Sequence, residues 1–115
     1  MEVTFPHGST KIFQLDLGFN REMIIPLDEF KLIEIGNKRI STDYLRFSTP
    51  SSFEDIENTT AFDTIKINRN YYLTGLTTNK LVKERLIGLL FFERFEFLIL
   101  DCLNKAVYIS ENTIY

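Results

Sequence analysis

The sequence has very few of the residues from which many catalytic and metal sites are built. Its 115 residues include one cysteine, one histidine and no tryptophan. A single cysteine excludes an internal disulfide framework and any zinc site with several thiolate ligands. His7 lies in a Pro-His-Gly-Ser turn with no second histidine in the chain, so we expect no catalytic role for it. Cys102 follows an acid and has no neighbouring base, which disfavours a thiolate nucleophile.

An excess of basic residues and long apolar runs are also lacking. The 13 Lys and Arg against 16 Asp and Glu give a net charge of −3. This argues against a general nucleic-acid binder, because phosphate contacts need a basic face. The longest apolar runs, Leu89–Phe92 and Phe97–Leu100, are too short for a membrane span. Residues 1–6 do not have the pattern of a signal peptide. The compartment stays open, since a domain cut from a longer exported protein would also begin this way.

Familiar cofactor and metal motifs are absent from the sequence. It contains no GxxxxGK[ST] phosphate loop, no GxGxxG, no HExxH and no GxSxG. Glu54, Asp55 and Glu57 form an acidic cluster, but their spacing does not match the calcium loop of an EF-hand. We interpret that cluster as solvated surface. The sequence therefore predicts no metal and no organic cofactor.

What the sequence does contain favours strands. The 11 Phe and 5 Tyr, together with many Ile and Thr, suit a pleated and half-buried surface. Apolar residues alternate with polar ones over 11–17 and 63–68, and 71–76 follows after a turn. A terminal hairpin is predicted from 95–100 and 105–109, which flank a turn. These patterns predict an all-β domain.

Two short helices and one irregular segment complete the prediction. Pro26–Ile33 has a proline and two acids in its first turn, which favours a helix, and Gly36 follows as a stop signal. Gly88–Phe95 reads equally well as a short buried helix or as part of a strand. Thr49–Ala61 is polar and rich in turn-forming residues. We expect it to form a mobile excursion from the sheet.

Asp16 is the acid with the most informative position. It ends an alternating apolar strand, and Gly18 follows two residues later, which suits a strand that ends in a tight turn. Taken alone, this Asp-x-Gly is most often a turn-capping aspartate.

The surrounding sequence, however, resembles a retropepsin-like aspartic peptidase domain. In that family an apolar strand leads into Asp-Thr/Ser-Gly, a small loop, a second apolar strand and a short helix. Residues 13–33 follow this order around Asp16 and Gly18. Residues 85–95 resemble the second signature of the family, in which two apolar residues and a glycine, here Gly88, lead into a short helix.

The resemblance covers about residues 11–109 and includes a closing hairpin at 97–109. It implies that 1–115 is a single acid-protease lobe, an all-β closed barrel with one or two short helices. A flap hairpin would lie between the two signatures, and the best candidate is about 49–61, with its tip at Ser51, Ser52 and Phe53.

The resemblance also implies a mechanism. Two lobes each bring one Asp to a shared site, where the two carboxylates hold one proton between them and act on a water and a peptide carbonyl. In this chain Asp16 would be the catalytic carboxylate. Gly18 would allow close approach of the backbone, and Ile87 and Gly88 would pack behind the catalytic loop.

One position departs from the family pattern. The Thr or Ser between Asp and Gly is Leu17 here, and leucine has no donor or acceptor with which to bond to the partner loop. Three interpretations follow. The chain is a homodimeric aspartic endopeptidase, or one lobe of a protein whose other lobe carries the intact Asp-Thr-Gly, or a degenerate, non-catalytic domain that binds peptides or protein partners. The partners implied are a peptide or protein substrate and a second lobe, as homodimer or tandem domain.

Overall fold

Strands predominate in the computed structural model, which describes residues 1–34, 39–48, 50–101, 103–104 and 106–111. Most of the described strands form one nearly closed, barrel-shaped sheet, and two short helices accompany it. The high content of aromatic and β-branched residues thus predicted the all-β class correctly.

The described residues contain ten strands and two helices. The strands are β1 (Glu2–Thr4), β2 (Thr10–Ile12), β3 (Gln14–Asp16), β4 (Met23–Ile24), β5 (Ile40–Ser48), β6 (Phe53–Ile67), β7 (Asn70–Thr78), β8 (Leu86–Gly88), β9 (Phe95–Asp101) and β10 (Ala106–Glu111). The helices are α1 (Leu27–Glu34) and α2 (Leu89–Phe92).

The main sheet mixes antiparallel and parallel pairs. Its strand order is β2-β1-β6-β7-β4-β8-β3, and β5 pairs with the first half of β6. Hairpins join β1 to β2, β5 to β6 and β6 to β7, all antiparallel. The parallel pairs are β4 with β7 and β3 with β8. Strands β3 and β4, which one short loop connects, therefore lie on the two sides of β8.

Local sequence signals predicted several elements correctly. The helix expected at 26–33 is α1, which buries Phe30 and Ile33 against the core. The terminal hairpin is confirmed by the antiparallel pairing of β9 with β10. The turn between β6 and β7 is confirmed at Asn68, whose φ of 56° is a left-handed conformation that asparagine tolerates. Three residues of these predictions lie outside the described residues: Gly36, the expected stop of the helix, Cys102 in the hairpin turn, and Lys105 at the expected start of the second hairpin strand.

Two strand expectations need correction. The single strand expected over 11–17 is divided at Phe13, whose side chain is buried and whose N–H donates to the Met1 carbonyl at 2.8 Å. The excursion expected over 49–61 was also wrong for most of its length, because β6 begins at Phe53. Its polar residues form a regular strand since alternate side chains turn inward and are paired, as in the 2.8 Å contact between Thr60 Oγ1 and Thr77 Oγ1. Thr49 lies outside the described residues.

The segment that was ambiguous in the sequence contains two elements. β8 ends at Gly88, and α2 follows at once and buries Phe91 and Phe92. Phe91 packs edge to face with Tyr72 of β7 and with Phe95, and the ring centroids are 5.7 Å apart in both pairs. This aromatic cluster fixes α2, and with it the end of β8, against the core of the sheet.

Candidate functional site

Asp16 and Gly88 lie side by side although they are far apart in the chain. They are the last residues of β3 and β8, and the parallel register pairs Asp16 directly with Gly88. One step back in the two strands, Leu15 pairs with the fully buried Ile87. The two segments that resemble aspartic peptidase signatures are therefore neighbours in the sheet.

Asp16 begins a tight loop, the Asp16 loop (residues 16–22), which leads into β4. Its carboxylate oxygen Oδ1 accepts a hydrogen bond from the Gly18 N–H at 3.1 Å, and its carbonyl accepts one from the Phe19 N–H at 3.1 Å. The side chain is half-buried. The bond from Gly18 holds the carboxylate, and the bond from Phe19 holds the backbone of the turn, while the side chain stays partly open to solvent.

Gly88 packs directly against the back of the Asp16 loop. Its N–H donates to the Glu22 carbonyl at 2.8 Å, and the next N–H, of Leu89, donates to the Phe19 carbonyl at 3.0 Å. A Cβ atom at position 88 would lie only 2.1 Å from the carbonyl oxygen of Arg21. Only glycine allows this approach.

Gly18, in contrast, is not demanded by packing within the chain. A Cβ atom there would meet Asp16 Oδ1 at 3.4 Å, an ordinary contact, and the backbone is not left-handed. The tight steric requirement of the loop therefore lies at Gly88.

Exposed leucines lie in the Asp16 loop and at the start of α2, which follows Gly88. Leu17 is 37% exposed, and Leu89 and Leu90, at the start of α2, are exposed to a similar degree. We call these three residues the leucine rim. Water-exposed leucines beside a carboxylate form a surface that gains free energy when another apolar surface covers it.

The β5–β6 hairpin carries the residues that the sequence suggested for a flap tip. Ser51 and Ser52 lie in its exposed turn, and Phe53 pairs with Ser48 at the start of β6. The Arg46 guanidinium lies 4.5 Å from the centre of the exposed Phe53 ring. It also hydrogen-bonds to Asp55, which lowers the pKa of that carboxyl.

A cleft of about 390 Å³ separates the Asp16 loop from this hairpin. Its floor comes from the face of β6 and β7 that includes Thr60, Phe62 and Gly75, and Leu90 of α2 lies at one side. There is little room for a side chain at position 75, since a Cβ atom there would lie 3.0 Å from Glu22 Oε2. Most of the lining residues are polar.

An ion pair joins two residues that line the cleft. Arg21 Nη2, from the Asp16 loop, donates to both carboxylate oxygens of Asp43 on β5, at 2.9 and 3.0 Å. Nothing in the local sequence around either residue indicates this contact, because Arg21 and Asp43 are 22 residues apart and meet only in the folded chain. The pair connects the hairpin to the loop on the side that faces solvent.

Breaking this ion pair should loosen the hairpin without unfolding the protein. An exposed pair is worth about 0.2–1 kcal/mol, so Asp43→Asn should speed amide exchange in β5 by a few-fold and leave the melting temperature nearly unchanged. High salt should reproduce the effect in the wild-type chain, because exposed charges are screened. Asp55→Asn, which breaks the Arg46 pair further along the same hairpin, is the control. Unchanged exchange at residues 40–45 in Asp43→Asn would show that the pair does not hold the hairpin.

The remaining candidate residues stay apart from this site. His7 is exposed in the turn between β1 and β2, stacks on Phe5, and has its Nε2 2.5 Å from Ser9 Oγ. Of the acidic cluster, Asp55 pairs with Arg46 and Glu54 with Lys80. Among the described residues, no group of three or more His, Cys, Asp or Glu is placed to hold a metal ion. No described helix has the length and apolar character needed to cross a membrane.

Comparison with known proteins does not assign a family to the chain. No protein-family model, no curated protein and no solved structure matches it. An argument for function therefore depends on the residues and geometry described above.

Proposed function

We propose that this chain is an aspartic-peptidase-like lobe that contributes Asp16 to a two-lobe peptide-hydrolysing site. The observation that carries the proposal is the placement of Asp16. It ends β3 in register with Gly88, is held by the Gly18 N–H, and stays partly open to solvent. A carboxylate that is fixed in direction yet accessible suits acid–base work on a bound water.

The proposed chemistry needs a second carboxylate. Two close carboxylates cannot both ionise cheaply, so they share one proton, and the pair can take a proton from water and give one to the peptide carbonyl. The second Asp would come from another lobe, either a second copy of this chain or a tandem domain. The peptide would lie in the cleft between the Asp16 loop and the β5–β6 hairpin, which would cover it and exclude water.

The leucine rim supports a second lobe at this position. Leu17 lies in the loop that a partner would have to approach, and Leu89 and Leu90 follow Gly88, which packs against that loop. A partner lobe that packs on the rim would bury these side chains and bring its own Asp close to Asp16. This apolar contact would hold the lobes together but would not supply the hydroxyl bond that threonine or serine makes in the family.

Light scattering over a concentration series at pH 5 and pH 7 tests whether the isolated chain forms the site by itself. A mass near twice the 13.5 kDa of one chain would allow two Asp16 carboxylates to meet. A peptide-library hydrolysis assay on the dimer would then test activity. A monomer at all concentrations would exclude the homodimer and direct the search to a tandem partner lobe.

Leu17→Thr should strengthen any two-lobe site. An unpaired buried amide costs about 1–3 kcal/mol, and the new hydroxyl can accept its hydrogen bond. We therefore expect the dimer association constant or the hydrolysis rate to rise about tenfold or more. Leu90→Thr, which adds a hydroxyl to the same rim outside the Asp-x-Gly, is the matched control. An unchanged dimerisation constant and an unchanged rate in Leu17→Thr would contradict a two-carboxylate site.

A non-catalytic peptide- or protein-binding domain of the same architecture is the second candidate. The observation that favours it is Leu17, which offers no hydrogen bond where the resemblance calls for one. A binder of this kind would keep its affinity for a peptide in Asp16→Asn and would show no turnover in either form. Isothermal titration with peptides from the same library separates the two functions.

A further inference from the structure

Glu22, the last residue of the Asp16 loop, connects that loop to β8, to β7 and to Arg94, which follows α2. Its backbone carbonyl accepts the Gly88 N–H of β8. Its side-chain Oε2 accepts the Gly75 N–H of β7 at 2.6 Å, and its Oε1 accepts a hydrogen bond from Arg94 just after α2. Both carboxylate oxygens are therefore bonded, and each bond leads to a different part of the chain.

Arg94 is fixed as completely as Glu22. Its Nε donates to the Phe91 carbonyl at 2.9 Å, and its Nη1 donates to the Leu73 carbonyl of β7 at 2.8 Å. The guanidinium also lies 4.3 Å from the centre of the Phe91 ring. A planar group held at all three nitrogens and against a ring has little freedom to follow a moving carboxylate.

The pair differs from the exposed ion pairs of the hairpin. The side chains of Arg94 and Glu22 are only 25% and 27% exposed. Partial burial and a charge-assisted hydrogen bond make such a contact stronger than an exposed one. Breaking one partner would leave a half-buried charge with donors or acceptors unpaired.

We infer that Glu22 and Arg94 are a positioning pair that fixes the Asp16 loop within a single lobe. The pair holds the loop in place by hydrogen bonds within one lobe. Leu17 cannot hold the loop by a hydrogen bond to a second lobe, since leucine has no hydroxyl. The inference rests on the proposed function, which makes the placement of Asp16 matter. The loop's position itself is measurable without any catalysis.

Amide hydrogen exchange, followed by NMR, tests the inference. Phe19 and Leu89 report on the loop, because the Phe19 N–H bonds to Asp16 and the Leu89 N–H bonds to Phe19. Arg94→Met should speed exchange at both amides about 10- to 100-fold, the factor that corresponds to one charged hydrogen bond. Exchange at Ile65, a fully buried residue near the end of β6, should change far less.

Arg46→Met is the matched control. Arg46 also combines a carboxylate partner, Asp55, with an aromatic ring, Phe53, but it lies on the hairpin away from the loop. It should leave exchange at Phe19 and Leu89 unchanged. Arg94→Lys, which keeps the charge and loses the planar fork, and Glu22→Gln give the same test if Arg94→Met does not fold.

The outcomes separate the inference from the proposed function. Unchanged exchange at Phe19 and Leu89 overturns the positioning role, and so does a rise of equal size in the loop and in β6. If an assembly with the wild-type chain hydrolyses peptides, Arg94→Lys should lower kcat and leave KM within about twofold, since loop placement affects the transition state more than binding. Absence of hydrolysis by every wild-type assembly overturns the proposed function, and the exchange data still decide the positioning role.

Discussion

Asp16→Asn is expected to abolish peptide hydrolysis by any assembly in which this lobe is active. The amide cannot take a proton from water or share one with a second carboxylate, and loss of one acid–base group typically costs about 10²–10⁴-fold in rate. The fold should remain intact, because the asparagine oxygen can still accept the Gly18 N–H that Asp16 Oδ1 now accepts. Stability should therefore change by no more than about 0.5 kcal/mol, as for most surface substitutions.

Asp63→Asn is the control for this experiment. Asp63 also accepts a backbone N–H from its own neighbourhood, that of Thr64 at 2.8 Å, but it lies on β6 and not in the Asp16 loop. Steady-state kinetics and thermal unfolding of both variants separate a chemical effect from a structural one. Full hydrolysis by Asp16→Asn would exclude Asp16 as the catalytic carboxylate.

Gly88→Ala should lower the stability of the protein much more than Gly18→Ala does. The new Cβ would lie 2.1 Å from the Arg21 carbonyl oxygen and 2.6 Å from that of Phe19, and both are backbone atoms that cannot rotate away. Overpacking usually costs about 1–3 kcal/mol, and a clash with backbone belongs at or above the upper end. The Asp16 loop would have to move away from β8.

Gly18→Ala provides the comparison within the same loop. Its Cβ would make only an ordinary contact, with Asp16 Oδ1 at 3.4 Å, so we expect a change below about 1 kcal/mol. Urea unfolding of the two variants measures the difference. Equal losses at positions 18 and 88 would show that loss of backbone freedom, and not the approach of the loop to β8, governs both sites.

Elements set by neighbouring residues could be predicted from the sequence, and elements set by distant ones could not. The proline and acids before α1 and the asparagine turn after β6 are local signals, and both predictions were correct. The strand over residues 53–61 was missed because its threonines and asparagine look like loop residues. Their burial depends on β5 and β7, which lie on either side of them only in the folded chain.

The same distinction applies to the site. Asp16 and Gly88 were selected through a family resemblance, and no local property of either segment indicates that they pair. The sequence does not indicate the two ion pairs, Arg21 with Asp43 and Glu22 with Arg94. Their partners are 22 and 72 residues apart, too far for the spacing rules of a helix or a tight hairpin to apply.

The pairing of β3 with β8 has a consequence for the order in which the protein folds. The β6–β7 hairpin closes through a two-residue turn and forms from local contacts, whereas β3 pairs with β8, which lies about seventy residues later in the chain. During synthesis, Asp16 leaves the ribosome early and has no β8 to pair with until α2 follows. We therefore expect the β6–β7 floor of the cleft to form before β3 pairs with β8 and the Asp16 carboxylate takes its place.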